Sequence, residues 1–75
     1  MYTIYSKPNC GYCLQAKQLL EMEQLPFEYK QLGTHYNLDE IMTLAPNAKS
    51  FPQVFKDGVL VGGYHDLVES LKQEY

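Results

Sequence analysis

Tyr2-Thr3-Ile4-Tyr5-Ser6-Lys7-Pro8-Asn9-Cys10-Gly11-Tyr12-Cys13 joins an aromatic, β-branched run to a polar break and then to two cysteines. Tyr2 to Tyr5 reads as a buried strand, and Ser6-Lys7-Pro8-Asn9 as the loop in which it stops. From Cys10 or Gly11 to Gln24, the residues Cys13, Ala16, Leu19, Leu20 and Glu23 recur at helical spacing among Gln and Lys. The strand therefore feeds a helix. Pro26 bars that helix from running far past Leu25. Phe27-Glu28-Tyr29-Lys30 then alternates apolar with charged residues, as a half-buried strand does. The result is a βαβ unit, whose crossover between parallel neighbours is almost always right-handed.

Downstream, Asn37 followed by Glu40 has the spacing of a helix start. Leu38, Ile41, Met42 and Ala45 give that short helix one apolar face before Pro46 ends it. Gln53-Val54-Phe55-Lys56 and Val59-Leu60-Val61 flank Asp57-Gly58, a pair that tolerates positive φ and suits a tight antiparallel hairpin. Gly62-Gly63 breaks the second strand. Asp66 and Glu69 form a capping pair for a last helix that turns Leu67, Val68 and Leu71 inward. The order βαβαββα predicts an α/β thioredoxin-like fold: a central four-stranded mixed sheet covered by three helices. Neither repeats nor linkers interrupt it, so residues 1–75 are expected to form a single domain.

Composition narrows the function classes. Seven Tyr and three Phe within a 45% hydrophobic chain can build a core without several disulfides or a metal. A net charge of -3 with scattered lysines offers no basic stripe for phosphates, which argues against nucleic acid as a partner. No apolar run reaches the roughly 20 residues that span a bilayer, and no signal segment opens the chain, so the expected location is cytoplasmic, without membrane contact.

The two cysteines are three positions apart, and a bond between them closes too short a loop to restrain the unfolded chain much. In a reducing compartment such a pair points to redox exchange or metal binding. Cys10 falls at the helix start, where unpaired N–H groups and the positive end of the dipole favour a thiolate. Its pKa is expected to be depressed, with weaker help from Lys7 on the same loop. Cys13, one turn further in, can reach Cys10 but is more shielded. Cys10 thus reads as the attacking sulfur and Cys13 as the resolving one. Three other readings stay open: a structural disulfide, a zinc site completed by His35 and His65, and two buried inert thiols.

Three segments together resemble the signatures of the glutaredoxin family, in the correct order: Lys7-Pro8-Asn9-Cys10-Gly11-Tyr12-Cys13, Ser50-Phe51-Pro52-Gln53-Val54-Phe55 and Gly62-Gly63-Tyr64-His65-Asp66-Leu67. The likeness covers essentially the whole chain, and the short dithiol form is like those of phages and bacteria. It implies a glutathione-dependent thiol–disulfide oxidoreductase, acting as a monomer on protein disulfides and glutathione mixed disulfides. Ribonucleotide reductase is the substrate protein expected at the level of the family.

Residue by residue, the resemblance implies that Pro52 is a cis-proline and that Phe51 offers its backbone to the cysteinyl part of glutathione. Tyr12 would lie against the tripeptide and Lys7 would meet its glycine carboxylate. The helix start after Gly63 would receive the γ-glutamyl carboxylate, with Tyr64 and His65 lining that end. Asp66 is assigned to capping rather than ligand contact. Two departures stand out, His65 where many relatives carry Asp, Ser or Asn, and Gly11 where dithiol relatives often have Pro. Relatives without that proline include [2Fe-2S] carriers, so a dimer with Cys10 as cluster ligand is the alternative function, although no metal is expected in the dithiol enzyme. A thioredoxin-like donor reduced by a flavoprotein reductase is the third.

Overall fold

The computed structural model describes residues 1–48 and 50–73. Its elements are β1 (Tyr2–Ser6), α1 (Gly11–Met22), β2 (Phe27–Gln31), α2 (Leu38–Leu44), β3 (Gln53–Lys56), β4 (Val59–Gly62) and α3 (Tyr64–Gln73). The strands form one sheet in the order β2-β1-β3-β4. β1 runs parallel to β2 and antiparallel to β3, and β4 returns antiparallel to β3. This is the thioredoxin-like mixed sheet with three helices expected from the element order.

Strand alternation divides the interior in two. Tyr2, Ile4 and Val54 face Ala16 and Leu20 of α1 and Leu67 and Leu71 of α3. On the opposite face Tyr5 and Phe55 pack with Tyr36, Ile41 and Ala45. Ile4 stands opposite both Tyr29 and Val54, so the centre of β1 is enclosed from both sides. Between β3 and β4, Asp57 (φ 51°) and Gly58 (φ 84°) make the two-residue turn, with both residues in the left-handed region that hairpin twist requires.

Several details differ from the periodicity-based expectation. α1 stops at Met22 rather than Gln24, because Gln24 adopts φ 58° and the chain turns there toward Pro26. β2 and β4 each extend one residue further, to Gln31 and Gly62. In α2, Asn37 caps as expected by accepting from the Glu40 amide at 3.0 Å. Its apolar face is only half used: Ile41 and Ala45 are buried while Leu38 and Met42 are exposed. A seven-residue helix turns few side chains toward one sheet face, and here the adjoining Tyr36 fills the remaining space. In α3, Leu67 and Leu71 are buried and Val68 is half-buried.

Tyr36 ties this second face to the loop after β1. Its hydroxyl donates to the Ser6 carbonyl at 2.7 Å, and its ring meets Tyr5 edge-on at 4.9 Å. Burial, followed by the charges of Tyr5 and Glu40, pushes its pKa up to about 12. The fold therefore prefers the protonated phenol. That contribution is complete below pH ~10, the unfolded value, and is lost as pH rises toward 12. Urea titrations across that window should show wild type losing more stability than Tyr36→Phe, whose difference from wild type should be flat below pH ~10.

Candidate active site

Cys10 is the N-cap of α1, with extended φ and ψ of -110° and 104°. Its Sγ accepts the backbone N–H of Cys13 at 3.1 Å, and its carbonyl accepts from Leu14 at 3.3 Å. The sulfur thus occupies the place of a capping oxygen, facing the amides and positive dipole end of a 12-residue helix. Asn9, with φ 59°, makes the bend that brings the loop to this position. Cys10 and Cys13 are joined by a disulfide, with Cα atoms 5.3 Å apart. Their exposure is unequal, since Cys10 is half-buried and Cys13 fully buried. A reagent from solvent therefore meets Cys10 first.

A groove of about 640 Å³ runs past this helix start. Its walls include Tyr12, Phe51, Pro52, Gly63, Tyr64 and His65. The Phe51–Pro52 peptide is cis. Tyr12, Tyr64 and His65 form a mutual ring cluster, with centroids 5.7 Å apart for Tyr12–Tyr64, 5.5 Å for Tyr12–His65 and 5.4 Å for Tyr64–His65. Lys7 is exposed, with Nζ 5.8 Å from the Phe51 ring centre. The three segments that sequence resemblance selects are thus neighbours in space. Leu44 and Leu60, exposed on the rim of the same groove, belong to no motif in the sequence; only their place in the lining of one groove marks them.

The start of α3 differs from the expected Asp66–Glu69 capping pair. Gly63 holds the N-cap position, and Asp66 reaches back so that its Oδ2 accepts the Gly63 N–H at 3.0 Å. This is the returning half of a capping box set three residues N-terminal of the expected pair, and Gly63, without a side chain, leaves the forward half unfilled. The Gly63 amide is consequently engaged by Asp66. Helix geometry leaves the amides of Tyr64, His65 and Asp66 without intrahelical acceptors, aimed at the groove end.

His35 belongs elsewhere. It lies in the turn between β2 and α2, where its Nδ1 accepts the Gln31 N–H at 3.0 Å. Among the described residues, no three His, Cys, Asp or Glu side chains are grouped to hold a metal ion. No helix among them is long and apolar enough to cross a membrane.

A helix-capping cysteine pair next to a cis-proline groove is a redox arrangement, and the sequence model of glutaredoxins matches residues 2–61. The chain belongs to the glutaredoxin family. Glutaredoxins as a family are glutathione-dependent disulfide oxidoreductases, and the disulfide of this chain joins Cys10 and Cys13. The chain is 37% identical over 65 residues to hybrid peroxiredoxin hyPrx5 of Haemophilus influenzae, covering 87% of itself and 27% of that protein. It is 32% identical over 66 residues to Glutaredoxin 4 of Pasteurella multocida, covering 88% of itself and 61% of that protein. The chain thus spans less than two thirds of the length of either relative. Its fold matches the crystal structure of a buckwheat glutaredoxin–glutathione complex with a TM-score of 0.81 at 22% identity, over 97% of this chain and 69% of that one.

Proposed function

We propose that this glutaredoxin reduces protein disulfides and glutathione mixed disulfides, with glutathione as donor, in a reducing compartment such as the cytoplasm. The observation that carries the reading is the Cys10 sulfur at the α1 N-cap, accepting the Cys13 amide and more accessible than its partner. The buckwheat protein, a relative in fold, is a glutathione complex, and the groove here is lined by Tyr12, Phe51, Pro52, Gly63, Tyr64 and His65 of the residues that resemblance assigns to the tripeptide, with Lys7 beside it at Phe51. Glutathione would lie along Phe51 and Pro52, its γ-glutamyl carboxylate at the α3 start near Tyr64 and His65, and its glycine carboxylate toward Lys7. Anions at helix starts meet oriented amides and a favourable dipole end.

In the reducing half-reaction, the Cys10 thiolate attacks one sulfur of a substrate disulfide. The substrate S–S bond breaks, a Cys10–substrate disulfide forms, and the departing sulfur takes up a proton. Cys13 then loses its proton and attacks the Cys10 sulfur, releasing the second substrate thiol and closing the Cys10–Cys13 bond. Two glutathione thiols restore the enzyme. The first opens the Cys10–Cys13 bond by attacking Cys10, and the second attacks the resulting mixed disulfide, so that oxidised glutathione leaves with the two electrons' worth of oxidation. Ribonucleotide reductase is a suitable substrate to assay first, on family grounds.

The test is a donor comparison. Turnover of a protein disulfide should be faster with glutathione and its reductase than with a thioredoxin reductase, and the reverse preference would remove glutathione from the reading. In reduced Cys13→Ser, thiolate absorbance should show Cys10 ionising below the free-cysteine value of about 8.5. A Cys10 still protonated above that pH would remove the electrostatic basis of the mechanism.

A further inference from the structure

Cys10 borders a second groove, of about 380 Å³, that shares no lining residue with the first. Lys7 and the Pro8-Asn9 loop form one wall, Leu14 of α1 another, and Tyr29 and Gln31 of the edge strand β2 a third. Lys7 is the one charged side chain among these lining residues. A second lysine stands beside one wall: Lys17 Nζ is 5.3 Å from the centre of the Tyr29 ring. Leu14 is 54% exposed, an apolar contact offered beside the reactive sulfur.

The whole chain carries a net charge of -3, so Lys7 in a lining that holds no acidic residue, with Lys17 beside it over Tyr29, makes a local positive spot on an acidic molecule. At physiological ionic strength the field of remote charges fades over about 8 Å, whereas contacts inside a groove are only partly screened. Local and global charge therefore favour opposite kinds of polypeptide.

We propose that this second groove docks an acidic polypeptide segment flanking the disulfide of a protein substrate, holding it at Cys10 in the half-reaction that precedes the arrival of glutathione. The inference rests on Cys10 being the exchanging sulfur, as argued above, but not on glutathione being the donor. Lys17 would meet a carboxylate, joined by Lys7 in the half-reaction that precedes glutathione, Leu14 and Tyr29 would cover apolar side chains, and the Gln31 side-chain amide would hydrogen-bond the peptide.

Single-turnover reduction by the pre-reduced protein tests this without any glutathione. Two disulfide peptides of equal length are compared, one with Asp and Glu flanks and one with Lys flanks. The acidic peptide should react about fivefold faster, as one or two exposed charge contacts allow, and 0.5 M salt should shrink that preference. Lys17→Glu should abolish the preference, and Leu14→Glu should slow the acidic peptide by a similar factor. Both variants should keep wild-type turnover of the cysteine–glutathione mixed disulfide in the glutathione-coupled assay, which also reports that they are folded.

Faster reaction with the basic peptide, or an acidic rate unmoved by both variants, would overturn the docking assignment. So would a raised KM for glutathione in either variant with peptide rates unchanged, which would give the groove to a small thiol. An acidic preference that both variants remove, in a protein inactive with glutathione, would support the docking groove while defeating the proposed donor.

Discussion

Cys10→Ser is expected to eliminate reduction of protein disulfides and of glutathione mixed disulfides alike, with kcat/KM falling on the order of 10³-fold or more, because a serine hydroxyl is not ionised near neutrality. Cys13→Ser should separate the two activities. The dithiol route needs the buried second sulfur to displace the product, so protein-disulfide reduction should be lost. Removal of glutathione from a mixed disulfide uses one thiol and should persist at a measurable rate. Steady-state assays on wild type and both variants check this division, and loss of both activities in Cys13→Ser would contradict it. The asymmetry has a structural cause. Both cysteines belong to the start of α1, but one caps it at the surface while the other is fully buried one turn in.

Leu67→Ala should cost about 2–5 kcal/mol, the usual range for truncating a fully buried leucine. Leu67 is 0% exposed and joins α3 to the cluster built by Ile4, Leu20 and Val54. Small domains have total stabilities of about 5–15 kcal/mol, so this loss should lower the urea midpoint substantially. Leu14→Ala, at an exposed position on α1, should stay within about 0.5 kcal/mol of wild type. Equal effects of the two substitutions would mean that α3 does not anchor this core. Function is coupled to the same contact: the Leu67 amide donates to the Gly63 carbonyl at 3.0 Å, so the packing of α3 also positions the groove end at Tyr64 and His65.

Motifs with local chemistry were readable from residues alone. Asp57-Gly58 announced its hairpin because two positive φ angles are needed there and few residue pairs supply them. Asn37 announced α2 because its side chain can accept from an amide three residues on. The start of α3 departs from expectation for an equally local reason: Asp66 has the chemistry of a forward cap, but Gly63 takes the N-cap position and makes Asp66 the returning partner. Leu38 and Met42 stay exposed against expectation, because periodicity reports which side chains share a helix face, not whether the sheet opposite has room for them.

The order of strands and helices, and the placement of Cys10 where a strand hands over to a helix, were determined by the chain's own residues. Periodicity, caps and turns act over a few positions, and short-range sterics and hydrogen bonds are sufficient to decide them. Tertiary structure alone decided that Tyr12 meets Tyr64 and His65, that Lys7 lies over Phe51, and that separate grooves flank the cysteine pair. Those contacts join segments far apart along the chain, and they exist because a shared apolar interior pulls the helices onto the sheet, a demand that no local pattern encodes.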